Sequence, residues 1–160
     1  MANVIGIKDI NSFHLDVLKE IGNIGAGNAA TALAKMLDKR IDMKVPQIRV
    51  MKFSEVSDVL GGAEIEVVGI LLGVQGDITG KIFFVLDMRS ATILVNILMG
   101  KNVDEELVFD DITRSALQEV GNILAGSYLS ALSNLTNLRI MTDVPYLAID
   151  MAGAILSVPG

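Results

Sequence analysis

The chain repeats itself, and that repeat constrains its fold more than any other feature. Residues 16–48, beginning DVLKEIGNIGAGNAATALAKM, align without a gap on residues 115–147, beginning SALQEVGNILAGSYLSALSNL. The match has 13 identities in 33 positions at a constant offset of 99. Both copies keep an acid, an amide and a proline in register: Glu20, Asn23 and Pro46, then Glu119, Asn122 and Pro145. At 160 residues the chain is one typical domain, long enough to bury a core. It reads as a single domain of two repeats, about 12–100 and 111–160, the second incomplete.

Each repeat opens on a long helix. Asn11 or Ser12 can cap the first, because a short polar side chain accepts from the free amides of a first helical turn. From Phe13 to about Leu37 there is no proline, and Leu15, Leu18, Ile21, Ala29 and Leu33 return at helical spacing. Gly22, Gly25 and Gly27 interrupt this stretch, and glycine costs a helix interior about 1 kcal/mol against alanine. Close approach of another backbone is the expected compensation, so these glycines read as packing. The second long helix covers about residues 112–134.

Strands are expected at 41–45 and 48–53, split by Pro46, and at 64–75 and 79–87, joined as a hairpin near Gly76-Asp77. A shorter apolar helix follows at 90–99, stopped by Gly100. The acid-rich segment 101–111 reads as a solvated loop. Further strands are expected at 138–144, 146–151 and 154–158. Shifted by 99, the hairpin at 64–87 would fall near 163–186, so either the second unit ends early or, the favoured reading, the sequence is a shortened form of a longer chain.

On a helix, Asp16, Glu20, Asn23 and Gly27 stand at i, i+4, i+7 and i+11 and share one face; Ser115, Glu119, Asn122 and Gly126 repeat the arrangement. A solvated face explains one such stripe. It does not explain two that hold Glu and Asn while neighbours drift (Lys19 to Gln118, Asn28 to Ser127), since Asn is a mediocre helix former. Composition narrows the chemistry. The chain has no cysteine and a single histidine, His14, which excludes thiol catalysis and makes metal binding by the chain alone improbable. A net charge of −6, five Phe, two Tyr and no Trp leave no basic stripe with stacking platforms for nucleic acid. No apolar run reaches the length of a spanning helix and no leader pattern opens the chain, so a cytoplasmic location is expected.

Glu and Asn cannot hydrolyse an amide or a sugar unaided. An acyl phosphate has a good leaving group and mainly needs a water held in line with phosphorus. A carboxamide donates and accepts, so it can orient that water, while the glutamate docks against a cation of the phosphoprotein.

The spacing Asp/Ser-x3-Glu-x2-Asn-x22-Pro, present at Asp16…Glu20…Asn23…Pro46 and at Ser115…Glu119…Asn122…Pro145, resembles the signature of the CheC/CheX/FliY family of chemotaxis phosphatases. LKEIGNIGAGNAATAL and LQEVGNILAG are most similar to its CheC branch. The resemblance implies an α+β fold with pseudo-twofold symmetry, an antiparallel sheet packed with two long helices and a third, shorter one. It implies dephosphorylation of the aspartyl phosphate of the response regulator CheY, with Asn23 and Asn122 orienting water and Glu20 and Glu119 engaging a lysine of the regulator. Asp16, Ser115, Pro46 and Pro145 would support these sites. No cofactor is implied on this chain; Mg2+ would be held by the regulator. The receptor deamidase CheD is implied as a second partner, with Ile93, Leu94, Ile97 and Leu98 as a candidate contact. The alternative from another class is a non-catalytic module that sequesters CheD or phosphorylated CheY. Gly25-Ala26-Gly27-Asn28-Ala29-Ala30 also fits a dinucleotide fingerprint, but what precedes it is amphipathic at helical period rather than a buried strand.

Overall fold

In the computed structural model, residues 7–43 and 47–157 are described. The helices reproduce the repeat to the residue. Helix α1 spans Ser12–Leu37 and is capped by Asn11, whose side chain accepts from the His14 amide while His14 Nδ1 accepts from the Asn11 amide. After a short helix α2 (Val56–Val59) come strands β1 (Glu66–Gly76) and β2 (Gly80–Asp87), and helix α3 (Met88–Leu98). Helix α4 spans Asp111–Thr136, with Asp110 as its cap. Both long helices end on a left-handed residue, Asp38 and Asn137, again 99 apart. Strands β3 (Ile140–Thr142) and β4 (Tyr146–Met151) and helix α5 (Ala152–Leu156) complete the chain.

The sheet is antiparallel throughout and centred on β1. The run Val67–Val74 is apolar almost without interruption, as suits a strand covered on both faces. Residues Val68, Ile70 and Leu72 meet Ala91, Val95, Leu117 and Ala125 of α3 and α4; Val67 on the opposite face packs with Ala152 and Ile155 of α5. Strand β2 lies along one edge of β1. β3 and β4 share the other edge, Val74 opposite Thr142 and Leu71 opposite Tyr146. Leu72 and Gly73 therefore face the three residues Asp143, Val144 and Pro145, which bulge out of the ladder. Proline has no amide hydrogen to donate to the ladder, so it fits this position.

Helix α1 packs on α4 rather than on the sheet. Leu33 and Leu37 meet Val120, with Leu94, Ile97, Leu98 and Leu124 against them. The two long helices run antiparallel: Gly25 lies under the Tyr128 ring and Asn28 Nδ2 donates to the Ser127 carbonyl at 2.8 Å. Positions 28 and 127 are equivalent in the repeat, so the pseudo-twofold axis passes beside this bond.

Two expectations are corrected. Residues 41–43 and 47–52 form no strand, and residues 44–46 of the expected pair, Pro46 included, lie outside the described residues. Residues 41–52 stand at the register of β3 and β4, and those two strands are strands because β1 lies between them and β2. Among the described residues no strand runs beside 41–43 or 47–52, so these two stretches have no described ladder to join. The expected strand at 154–158 is instead α5, with Ala152, Ile155 and Leu156 buried at helical spacing; residue 158 is outside the described residues.

The glycines divide. A Cβ on Gly25 would overlap the Tyr128 ring and one on Gly121 would overlap Ile70, so both serve packing, though against side chains rather than backbone. A Cβ on Gly27 or Gly126 would meet nothing within 4 Å among the described residues beyond the neighbouring backbone of its own helix.

Candidate active site

Helix α4 turns Leu117, Val120 and Gly121 inward and leaves Ser115, Glu119 and Asn122 exposed. The period of 3.6 therefore buries one side of α4 and offers the expected polar stripe on the other. The stripe faces the β3–β4 bulge across a groove of about 420 Å³ lined by Ser115, Gln118, Glu119, Asn122, Thr142, Asp143, Val144 and Pro145. All four expected residues of the second copy, Ser115, Glu119, Asn122 and Pro145, thus line one groove. The proline, 23 positions along the chain from Asn122, is brought there by the bulge.

The groove has a fixed wall. Gln118 Nε2 donates to the Pro145 carbonyl at 3.3 Å, tying helix to bulge. The Asp143 amide donates to the Gly73 carbonyl at 3.1 Å, and Gln75 Nε2 donates to Asp143 Oδ1 at 2.9 Å. A Cβ on Gly73 would overlap the Asp143 carboxylate, so the glycine gives that side chain its seat on β1. Gln118, Thr142 and Asp143 were not singled out by the spacing. Gln118 sits where the repeat drifts from Lys19, and a search restricted to shared residues passes over it.

The first copy is placed as expected on its helix. Asp16, Glu20 and Asn23 are all exposed on α1, in the register of Ser115, Glu119 and Asn122. Counting five residues from position 28 to Asn23 and five from 127 to Asn122, the two amides lie about 15 Å apart along the paired helices at 1.5 Å per residue.

Two carboxyls are held below the usual carboxylate range. Asp87 is lowered chiefly by the Ser90 amide and hydroxyl, and Asp110 by the Thr113 amide and side chain. Both are helix caps away from the groove, so they bear on stability. No group of three or more His, Asp or Glu side chains among the described residues is placed to hold a metal ion. No helix among them is long and apolar enough to cross a membrane. On α3, Leu94, Ile97 and Leu98 are half-buried against Leu33, Leu37 and Val120 of α1 and α4. Ile93 instead borders a cleft with Met88, Thr92, Val103, Leu107 and Phe109.

Chemically, the groove offers the Glu119 carboxylate and the Asn122 carboxamide about a turn apart on one helix, faced by Asp143 and flanked by Gln118, Ser115 and Thr142, and it is open to water. That suits orienting a small molecule against a group brought in by a partner.

The chain is similar to several known proteins. The sequence pattern of the CheC-like family matches residues 13–49 and again residues 112–148, the two copies of the repeat. The CheY-P phosphatase CheC of Bacillus subtilis is 44% identical over 151 residues, spanning 92% of this chain and 72% of that protein. The flagellar motor switch phosphatase FliY of the same organism is 28% identical over 142 residues, covering 87% of this chain and 36% of FliY. Among solved structures, Thermotoga maritima FliY superposes with a TM-score of 0.78 at 29% identity, covering 88% of this chain and 70% of that one.

Proposed function

The chain belongs to the CheC-like family, and from that membership we propose that it is a protein aspartyl-phosphate phosphatase acting on phosphorylated CheY. The observation that carries this reading is the groove that joins Glu119 and Asn122 to the Pro145 bulge.

The reaction asks little of the protein beyond position. Water oxygen forms a bond to phosphorus, the bond from phosphorus to the aspartyl oxygen breaks, and the aspartate leaves as a carboxylate. The proton of the water stays with inorganic phosphate. Asn122 accepts from the attacking water and donates to it or to a phosphoryl oxygen, which fixes the line of attack. Glu119 docks against a cation of the regulator and so sets where the amide points. Asn23 and Glu20 do the same on α1, with Asp16 and Pro46 equivalent in the sequence repeat to Ser115 and Pro145. The magnesium ion belongs to the regulator. CheD is proposed as a second partner at the α3 cleft that Ile93 borders.

The test is release of inorganic phosphate from phosphorylated CheY by the wild type, Asn23→Ala, Asn122→Ala and the double variant. The double variant is expected to keep binding CheY and to lose about 10²-fold of the acceleration, the scale of a single transition-state donor. Wild-type protein that merely matches the decay of CheY alone would refute the reading and leave the sequestering module.

A further inference from the structure

Gly27 and Gly126 follow Asn23 and Asn122 by four residues and are equivalent in the repeat. Each is exposed in the middle of a 26-residue helix, and among the described residues a Cβ on either would meet nothing within 4 Å beyond the neighbouring backbone of its own helix. Unlike Gly61, Gly62, Gly76 and Gly100, neither adopts a positive φ. The chain thus bears the helix-weakening effect of glycine twice at one register, with no packing or backbone need among the described residues. Gly25 and Gly121, two and five residues away, show what such a need looks like.

The opposite end of each stripe carries a large exposed apolar side chain. Phe13 is 69% exposed and Ile112 is 65% exposed, and they too are equivalent positions. Positions 13, 16, 20, 23 and 27 share one helical face and span about 21 Å at 1.5 Å per residue. On α4 the groove of Asn122 also runs on past Gly126: Thr142 lines both that groove and a second cleft with Gly126, Ser130 and Ser133.

We infer that Gly27 and Gly126 are contact points for the receiver domain of phosphorylated CheY, where it comes within van der Waals distance of the helix backbone. With Phe13 and Ile112 they form the two ends of a docking footprint that brackets each Glu/Asn pair. This rests on the reading above that phosphorylated CheY is the substrate. A side chain at either glycine would stand between the regulator and the helix, and displacement by an ångström is enough to spoil an in-line water. The apolar residue at the far end anchors the regulator without entering the chemistry.

The experiment reads one site at a time. Gly126→Ala and Gly126→Gln are made in an Asn23→Ala background, and Gly27→Ala and Gly27→Gln in an Asn122→Ala background. Thermal melting and steady-state phosphate release from phosphorylated CheY are measured for each. Alanine and glutamine are better helix formers than glycine, so the melting temperature is expected to rise by about 2–4 °C. Over the same series kcat/KM is expected to fall about tenfold for alanine and about 100-fold for glutamine. Phe13→Ala and Ile112→Ala are expected to raise KM with kcat unchanged. A raised melting temperature with unchanged kcat/KM would overturn the inference, and so would a lowered melting temperature, which would return the glycines to packing. Parent backgrounds that fail to accelerate phosphate release would instead sink the phosphatase reading itself.

Discussion

Leu18 and Leu117 occupy the same position of the repeat, yet Leu18 is 39% exposed and Leu117 is fully buried. Leu117 lies among Val68, Ile70 and Leu72 because β1 runs beneath α4, and no described strand runs beneath α1. Replacing each by alanine therefore measures the layering directly. At Leu117 the lost side chain is worth about 2 kcal/mol in transfer, near 0.8 kcal/mol per methylene, and the cavity left against β1 brings the total to about 3 kcal/mol. A chain of this size loses about 2–4 °C per kcal/mol, so melting should fall by about 6–12 °C. At Leu18 much of the side chain already meets water and no closed cavity forms, so the loss should be about 1 kcal/mol. Urea unfolding followed by circular dichroism, with melting as a second probe, gives both values. Equal losses at the two positions would refute the reasoning, since α1 would then be as well covered as α4.

Other substitutions probe the hairpin, the caps and the groove wall. Gly76 has φ of 121°, and a Cβ there would overlap the Arg139 carbonyl. Gly76→Ala should lower the urea midpoint, with a loss of about 1–3 kcal/mol and an unchanged m-value. Asp87→Ala removes the cap of α3, two bonds to Ser90, and should cost about 1 kcal/mol. The carboxyls of Asp87 and Asp110 are depressed in the folded state, so their contribution is present above the ordinary carboxylate value of 3.8 and lost as pH falls through the lower folded value. Acid unfolding of Asp87→Asn should accordingly show a shallower fall below that pH than the wild type. Gln118→Met removes the 3.3 Å bond to Pro145 without emptying its space. In an Asn23→Ala background it should slow phosphate release about fivefold, the worth of about 1 kcal/mol of hydrogen bonding, while Gln118→Lys, which can still donate, restores most of the rate.

What could be read from sequence was what local chemistry decides. The capped start at Asn11, the turn at Gly76 and the two stripes are set within a few residues of themselves, and each stands where the pattern put it. Residues 41–53 alternate like strands, but a strand needs a neighbour, and whether one lies alongside is decided far away in the chain. At 154–158 apolar residues are dense enough to fit either period; in the fold residues 152–156 are helical and Ile155 packs against Gly69. The groove was half legible. Glu119 and Asn122 announce themselves by repetition, whereas Gln118 and Asp143 belong to one copy only and show their use only when helix and bulge are side by side.

The central place of β1 also orders the formation of the molecule in time. Its partner β2 is the next strand along, with Gly80 opposite Val74, and can zip up as soon as Gly76 turns the chain. Its other edge waits for residues synthesised much later, Met151 opposite Glu66 and Thr142 opposite Val74. Closing so long a loop is slow compared with forming a helix. A nascent or refolding chain therefore carries the stripe of α4 before the Pro145 wall exists to face it. The second groove is a late event, completed only when the final strands dock, and in pulsed hydrogen exchange the amides of 146–151 should gain protection after those of 80–87.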